Sequence, residues 1–394
     1  MSSRVIDVTG EVGTQAINEQ QVHEFLAGLF GEDLHAKRVL SLSLATLGVI
    51  HAASLSVYAI GQALAVARGK KGKHGVKQVD RLLSNTGVDV WHLFSLWVPY
   101  VMGQRTEAVV ALDWTDFDDD DHTTLVASLR TGHGRSTPLV WLTVHKSALK
   151  GMRNDAEDSV LLRLRELIAP EVKVTILADR GFADQKLYAL LEQLRFEYVV
   201  RFRQRIIVTS AQGERRMAAE WVPTSGHLRK LKGARVTADE AEVAAVVCVK
   251  KKGMKEPWCL ATSLGEASGA EVVTLYRGRF TIEESFRDVK DLRFGMGLSS
   301  FRIAETDRRD RLLLLSAFAC ALLTLLGAAG ESLGMERDLK ANTSKKRTYS
   351  LFRQGCMYYQ ALPNMPEAQL RPLIERFAQL VCEQLVFREA FGLL

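Results

Sequence analysis

The chain has 394 residues, of which 47% are hydrophobic and 25% charged, and these are ordinary values for a globular protein. This length accommodates two or three domains, and the formal net charge of +6 is compatible with an acidic partner such as nucleic acid. The five cysteines are scattered without C-x-x-C spacing, which argues against a zinc site and a disulfide framework. The polar amino terminus lacks the pattern of a signal peptide, so we expect a cytoplasmic protein.

Residues 1–105 are predicted to be helical, because apolar residues recur at helical spacing in Val22–Phe30 and Val39–Val66. The segment 68–77 combines lysines with three glycines, which predicts a mobile basic loop that leads into a helix. Such a loop suits phosphate contacts, although a basic loop is also a common solvated linker. The candidate DNA-binding residues here are Lys70, Lys71, Lys73, Lys77 and Arg81.

Two apolar runs further along the chain each end at an aspartate. The first ends at Asp113 and the second at Asp179, and each predicts a buried strand with a carboxylate at its carboxyl end. Asp116 is an alternative to Asp113, because several acids crowd the first turn. The acidic run at 118–121 is interpreted as a solvated hairpin tip in preference to a second metal site.

The elements around these strands predict a mixed α/β core followed by a β-rich segment. The core adds strands at Leu125–Arg130, Leu139–Val144 and Tyr198–Arg203, and helices at Arg153–Ile168 and Gln185–Leu194. The β-rich segment has strands at Ile206–Thr209, Ala241–Val249 and Trp258–Thr262.

The segment Tyr276–Lys290 places Glu283 among cations. Arg279 precedes Glu283 by four residues and Lys290 follows it by seven, so a helix would place them on one face. One carboxylate flanked by cations suits a site that binds a metal ion and DNA phosphates together. The alternative is a solvated helix face with i,i+4 ion pairs.

A helix start is predicted within this segment. Thr281, followed three residues later by Glu284, has the sequence of a capping box. The apolar face of the predicted helix consists of Ile282, Phe286, Val289 and Leu292.

The segment Leu312–Ala329 is apolar enough to resemble a membrane span, but its length is near the lower limit for crossing a bilayer. We interpret it as the central core helix of a large domain, since a helix that is apolar on all sides is typical of such a position. A helical carboxy-terminal tail follows, with a basic cluster at Lys345, Lys346 and Arg347.

Tyr276, Arg279, Glu283 and Lys290, at fixed spacings, resemble the signature of bacterial insertion-sequence transposases of the DDE (Asp-Asp-Glu) type, which move by cut and paste. Asp113-Trp-Thr and Asp179-Arg-Gly-Phe are similar to the two aspartate motifs of that family. The segment 73–85 is similar to the region with which those proteins bind the end of the element.

The resemblance implies an α/β fold with an RNase H-like mixed-sheet core and a β-rich insertion. It also implies an all-helical amino-terminal DNA-binding domain and a helical carboxy-terminal tail. The expected units are the DNA-end-binding domain 1–105, the first part of the catalytic core 106–203, the insertion 204–264, the second part of the core 265–330 and the carboxy-terminal region 331–394.

The resemblance also implies that Asp113, Asp179 and Glu283 are catalytic and hold two Mg²⁺ or Mn²⁺ ions. Oxygen ligands suit these cations, and converging carboxylates repel one another unless a cation is present. The family's signature implies phosphate contacts for Tyr276, Arg279 and Lys290. Relatives use a tryptophan of the insertion to hold a flipped base, which points to Trp258; the alternative is a tryptophan buried in a strand.

The expected function is DNA transposition, with cleavage at the element ends and joining to target DNA, through a hairpin intermediate. The expected partners are double-stranded element ends and target DNA, bound by a homodimer on paired ends, with no membrane; the expected location is the bacterial cytoplasm, at the nucleoid. One rival is a metal-dependent nuclease without strand transfer. The other is a DNA-binding repressor that has lost its chemistry.

Overall fold

A computed structural model describes residues 17–293 and 295–386. The outer parts of the predicted units 1–105 and 331–394, namely 1–16 and 387–394, lie outside the described residues. Five helices come first: α1 (Glu19–Phe30), α2 (Ala36–Ala52), α3 (Val57–Ala67), α4 (Gly72–Leu83) and α5 (Val90–Met102).

A mixed α/β region follows: β1 (Glu107–Phe117), β2 (His122–Arg130), β3 (Ser136–His145), α6 (Arg153–Leu167), β4 (Lys173–Ala178), α7 (Gln185–Gln193) and β5 (Glu197–Arg201). The next five strands are β6 (Ile207–Thr209), β7 (Arg215–Met217), β8 (Leu228–Val236), β9 (Ala241–Val249) and β10 (Trp258–Thr262). The described chain ends with α8 (Gly269–Arg277), α9 (Phe280–Lys290), α10 (Thr306–Ser332), α11 (Leu351–Ala361) and α12 (Glu367–Val386).

The predicted apolar stretch Val39–Val66 is divided into α2 and α3, which are bent by 99° relative to each other. Ala53 ends α2 in the left-handed conformation with φ 47°, and the Ser56 side chain accepts a hydrogen bond from the backbone N–H of Ala59 to cap α3. Periodicity alone did not reveal this corner, because the residues on both sides of it remain apolar.

The predicted basic loop is wrong from Gly72 onward, because α4 begins there. Gly75 lies where α3 and α4 cross, and a Cβ atom on it would approach the carbonyl oxygen of Gly61 to 2.1 Å. Gly61 meets α4 in the same way, with a Cβ position 2.4 Å from the Val76 backbone. Gly75 therefore permits close helix packing, whereas the sequence interpretation took it as a sign of a loop.

One ten-stranded sheet forms the centre of the described fold, in the order β3-β2-β1-β4-β5-β10-β9-β8-β6-β7. The strand β1 is antiparallel to β2 and parallel to β4, and β4 is parallel to β5. This mixed arrangement is consistent with the expected RNase H-like core. The β-rich insertion extends the same sheet, because β10 pairs antiparallel with β5; within it, β7 and β8 were not predicted.

Helices cover both faces of this sheet. On one face, α8 covers Leu177, Val199, Val247 and Leu260, α9 lies over the first three strands, and α10 packs against β3. On the other face, α6 packs against β2 and β3, and α7 against β5. The arrangement is three layers deep, and it leaves the junction between α8 and α9 beside the centre of the sheet.

The long apolar helix α10 is a core helix. It contacts α2, α11, α12 and β3, and its Leu314, Leu315, Phe318 and Leu322 are fully buried. Within the described residues it is the single unbroken helix long and apolar enough to cross a bilayer, and most of its apolar window is buried inside the protein. The interpretation of 312–329 as a core helix is confirmed.

The carboxy-terminal helices pack onto this core helix. A Cβ on Gly327 would approach the carbonyl oxygen of Leu351 to 1.9 Å, and one on Gly355 would approach that of Leu323 to 1.8 Å, so α10 and α11 cross at backbone contact. The basic cluster at 345–347 lies between helices, which corrects its expected place in a helical tail.

Candidate active site

The parallel pairing of β1 with β4 brings Asp113 and Asp179 to one level of the sheet. Leu112 pairs with Ala178, and the two aspartates are the residues that follow in each chain. Asp113 lies on the same face as Ala111, whose partner Leu177 is covered by α8. Both carboxylates therefore lie near the junction of α8 and α9.

The prediction that Asp113 ends its strand is wrong. The strand β1 continues four residues farther, to Phe117, because β2 still pairs with it up to the pair Phe117–His122. The pairing with β4, however, stops at Leu112. Asp113 is therefore placed at the open end of the β1–β4 pair even though it lies inside β1.

Glu283 reaches the site from the first turn of α9. The predicted capping box is wrong, because the backbone is already helical at Arg279, with φ −59° and ψ −35°, and α9 begins at Phe280. The Thr281 hydroxyl donates to the carbonyl oxygen of Gly278, and Glu284 forms an ion pair with Arg287. The helix before α9, which was not predicted, has a capping box of its own at its start.

Arg279 joins two of the three acids. One guanidinium nitrogen (Nη1) donates to Asp113 Oδ2 at 2.7 Å, and the other (Nη2) donates to Glu283 Oε1 at 2.6 Å. Only 5% of the Arg279 side chain is exposed. The Tyr276 hydroxyl donates to Asp179 Oδ1 at 3.1 Å, so each of the three acids is hydrogen-bonded to a signature residue.

The ionisation of the site reflects burial and mutual repulsion. Burial is the main cause that raises the pKa of Asp113 to about 6; the charges of Asp179 and Glu283 act in the same direction, and Arg279 opposes the shift. For Arg279, burial disfavours the cation, but Tyr276 and Asp113 outweigh that effect, and its pKa rises above the ordinary value. The site thus concentrates negative charge around one buried cation.

Asp116 does not join these acids. Its carboxylate pairs with Lys146 at 3.2 Å and is half exposed. The predicted hairpin tip is present at 118–120, but Asp120 is buried in an ion pair with Arg309, so the tip is only partly solvated. These contacts favour Asp113 over Asp116 as the first acid of the site.

Lys290 is held on β1 in this structure. Its ammonium donates to the Thr115 hydroxyl at 3.0 Å and to the carbonyl oxygen of Asp116 at 2.6 Å, and it lies 4.9 Å from the centre of the Phe117 ring. Burial lowers its pKa, although the nearby Asp116 opposes the shift. The sequence spacing predicted that Lys290 and Glu283 share a helix face. In the structure, Lys290 bonds to β1, whereas Glu283 bonds to Arg279.

Trp258 lies next to the signature residues. Its ring is 5.0 Å from that of Tyr276 in an edge-to-face arrangement and 6.0 Å from that of Phe280. Trp258 is half-buried, whereas Phe280 is 41% exposed. An aromatic surface therefore borders the three acids, and the sequence interpretation missed the contribution of Phe280.

Sequence reasoning also missed a set of ion pairs beside Asp179. Arg201 lies 3.7 Å from Asp179 Oδ1 and donates to Glu256 at 2.8 Å, and Arg180 donates to the same oxygen of Glu256 at 2.9 Å. The available signals were Arg201 within the predicted strand Tyr198–Arg203 and Arg180 directly after Asp179. Neither pattern identifies Glu256, which lies more than fifty residues away.

The predicted DNA-binding cations fall in two surface regions. Lys73, Lys77 and Arg81 are exposed on α4 at four-residue spacing, which gives them one face. Lys70, Lys71, Lys345 and Lys346 are also exposed. Arg347 instead bonds to Glu331 and to the carbonyl oxygen of Gly132.

The three acids are a suitable donor set for Mg²⁺ or Mn²⁺, because both ions prefer carboxylate oxygens. In the described residues they do not form a compact group of three metal-type side chains, since the Arg279 guanidinium lies between Asp113 and Glu283. In this candidate ligand set, Asp113 and Asp179 contribute carboxylates from the neighbouring strands β1 and β4, and Glu283 contributes the third carboxylate from α9.

A family model described as a transposase DDE domain matches residues 125–322, which is half of the chain. The matched range includes Asp179 and Glu283 and begins twelve residues after Asp113. No curated protein matches the chain.

Proposed function

The chain belongs to the family of transposases with a DDE domain, and from this premise we propose that it cuts its mobile element at both ends and joins it to target DNA. The observation that carries the proposal is the contact network of the site. Asp113, Asp179 and Glu283 come from three distant segments; Arg279 bonds to Asp113 and Glu283, and Tyr276 bonds to Asp179.

The proposed reaction is a series of substitutions at phosphorus. Water first attacks a phosphodiester at the element end, the bond to the 3′ oxygen breaks, and the strand leaves as a 3′-hydroxyl. That hydroxyl then attacks the opposite strand, which closes a DNA hairpin and releases the flanking DNA. A second hydrolysis opens the hairpin, and the 3′-hydroxyl finally attacks a phosphodiester of the target DNA.

Asp113, Asp179 and Glu283 are the proposed ligands of two Mg²⁺ or Mn²⁺ ions. Such a pair activates the attacking oxygen and stabilises the leaving oxygen. The raised pKa of Asp113 supports this assignment, because burial beside two other acids disfavours its charged form and a bound cation would offset that cost.

Trp258 is the proposed platform for a base flipped out of the duplex during hairpin formation. Its half-buried ring, in contact with Tyr276 and near the exposed ring of Phe280, supports this role. Lys73, Lys77 and Arg81 on α4 are proposed to bind the element end, since three cations on one exposed face fit a phosphate backbone. We also propose that two copies act on paired ends, in the bacterial cytoplasm.

The test uses a supercoiled plasmid that carries the gene with its native flanks. Purified protein is added with Mg²⁺ or with chelator, and the products are separated on native and denaturing gels. Glu283→Gln is compared with Glu284→Gln, its neighbour on α9, which pairs with Arg287 at the surface. We expect the first change to lower the excision rate by about 10²–10³-fold or more, because it removes a charged group from the reacting centre. The second change should leave the rate within about twofold, since an exposed i,i+3 ion pair contributes little.

Excised DNA with ends that re-pair at once after denaturation would support the hairpin route; open ends would remove the role given to Trp258. Linear products that never join to a target plasmid would favour a nuclease without strand transfer. If the protein shifted the flanking DNA on a gel without cutting it, and Glu283→Gln left that binding unchanged, the transposase proposal would be overturned in favour of a DNA-binding repressor.

A further inference from the structure

We propose that the hairpin tip between β9 and β10 is a phosphate-binding rim of the active site, which holds the DNA backbone beside the scissile bond. The tip is defined here as residues 250–257, and its cations are Lys250, Lys251, Lys252 and Lys255. The inference rests on the proposed function, because it specifies where the DNA substrate of that site is held.

The strand register places the tip at the same edge of the sheet as the catalytic acids. Ala178 pairs with Val200 in parallel β5, so Arg201 lies level with Asp179. Leu260 in antiparallel β10 pairs with Arg201, and Trp258 precedes it by two residues. The chain before Trp258, which is the tip, therefore extends past the level of Asp179.

Ion pairs fasten the tip to the site. Glu256 lies within the tip and accepts hydrogen bonds from Arg180 at 2.9 Å and from Arg201 at 2.8 Å. Arg180 follows Asp179 directly, and Arg201 lies 3.7 Å from its carboxylate. Arg201 therefore links Glu256 of the tip to the carboxylate of Asp179.

The lysines are directed to solvent rather than to the protein. All four are exposed, and within residues 17–293 and 295–386 their ammonium groups form no hydrogen bond or ion pair. A tight turn shapes the tip: Gly253 has φ +88°, and the Met254 sulfur accepts a hydrogen bond from the backbone N–H of Lys251 at 3.1 Å. The turn concentrates four positive charges within six residues.

A nucleic-acid backbone is the partner that this surface fits. The insertion 204–264 contains eleven lysines and arginines against six acids, so most of the chain's excess positive charge lies there. The tip begins directly after Val249, which pairs with Trp258. Aromatic rings for a base and lysines for the neighbouring phosphates are therefore adjacent, as in a surface that binds a single strand of DNA.

The test measures how salt weakens DNA binding. A fluorescein-labelled 30-base-pair duplex of arbitrary sequence is titrated with the full-length protein in chelator at several NaCl concentrations. Neutralising all four lysines to Gln should reduce the slope of log K against log[NaCl] by about 2 or more, since each lost phosphate contact removes about 0.9. Lys251→Gln/Lys252→Gln should reduce it by about half as much, in proportion to the charges removed.

The control is Lys173→Gln/Arg195→Gln, which removes two exposed cations beside the starts of β4 and β5, at the opposite edge of the sheet, together with the surface pair of Lys173 and Glu197. Its slope should equal that of the wild type, because charges more than about 10 Å from the DNA are screened at 0.1 M salt. Plasmid excision by the four-lysine variant should need more protein for half-maximal rate and recover at low salt.

An unchanged slope in the four-lysine variant, or an equal loss in the control, would overturn the inference. Failure of the proposed function gives a different result: wild-type protein would not cut the plasmid, while the slopes of the two lysine variants would still differ from the wild type. A circular dichroism melt equal to that of the wild type shows that a changed slope does not come from unfolding.

Discussion

Arg279 is the residue on which the organisation of the candidate site depends. Its buried guanidinium pairs with the mostly buried Asp113 and the half-exposed Glu283, and removing it would leave both carboxylates without their shared cation. Its Nε atom is buried without a hydrogen-bond partner, so the side chain makes its polar contacts through the two terminal nitrogens. Lysine cannot reproduce this forked contact, because it carries a single charged nitrogen.

A pH dependence follows from the environment of Asp113. Burial raises its pKa to about 6, so the carboxyl is protonated below that pH and ionised above it. Only the ionised form is a good cation ligand. We therefore expect the affinity for Mn²⁺, measured by calorimetry, to fall about tenfold per pH unit below pH 6.

The neighbouring acid Asp116 provides the control for this titration. Its half-exposed carboxylate pairs with Lys146, so Asp116→Asn should leave the pH profile of Mn²⁺ affinity unchanged. Asp113→Asn should abolish the fall in Mn²⁺ affinity below pH 6. An affinity that stays constant down to pH 5 would contradict the assignment of Asp113 as a ligand.

At the scale of elements, the helix α4 shows how one residue pattern can indicate two structures. Glycines between lysines are typical of a mobile loop, but Gly75 is required by a helix crossing. The apolar residues of α4 still recur at helical spacing, with Val79, Leu82 and Leu83 buried and the three cations exposed. The helical periodicity of these apolar residues is visible in the sequence, but the three glycines of 68–77 led to the prediction of a loop.

Gly75→Ala tests the close crossing of α3 and α4. The added Cβ would lie 2.1 Å from the carbonyl oxygen of Gly61, so the helices must separate. We expect the free energy of unfolding, measured by urea denaturation, to fall by about 1–3 kcal/mol, as for other overpacked sites. DNA affinity should fall as well, because α4 carries Lys73, Lys77 and Arg81.

Gly132→Ala is the matched substitution for this experiment. Gly132 has no atoms within 4 Å of its Cβ position, so the change should alter stability by less than about 0.5 kcal/mol. If both variants unfolded at the same urea concentration as the wild type, the close approach of α3 and α4 would be refuted.

At the scale of the whole molecule, α10 connects the helical regions to the sheet. Its buried residues belong to one continuous core cluster that reaches from α1 to α12, whereas α8 packs in a separate cluster on the sheet. Arg309 on this helix is fully buried; it pairs with Asp120 in the turn after β1, and its guanidinium lies 3.8 Å from the centre of the Phe117 ring. The core helix thereby holds the strand that carries Asp113.

Arg309→Ala is expected to destabilise the whole protein, because it leaves the buried carboxylate of Asp120 without its partner. The free energy of unfolding should fall by about 3–5 kcal/mol, as for other broken buried pairs. Arg308→Ala, at the preceding residue, removes a surface pair with Asp80 and should cost at most about 1 kcal/mol. Thermal denaturation distinguishes the two variants, and equal losses would contradict the buried pair.

Sequence patterns were sufficient to predict the strands that carry Asp113 and Asp179, the core helix α10 and the presence of a β-rich insertion. Each of these depends on local burial, and local burial leaves a periodic or continuous apolar pattern. The spacing of Tyr276, Arg279 and Glu283 also indicated the family, because those residues lie close together in the chain.

The partners of those residues, in contrast, depend on how distant segments fold together. Arg279 and Asp113 are 166 residues apart, Arg201 and Glu256 are 55 apart, and Lys290 reaches across to β1. The extension of one sheet through the insertion, and with it the position of the lysine-rich tip beside the site, depends on the pairing of β10 with β5. Long charged side chains have many rotamers, and their contacts are fixed by the packing of distant segments rather than by the residues beside them.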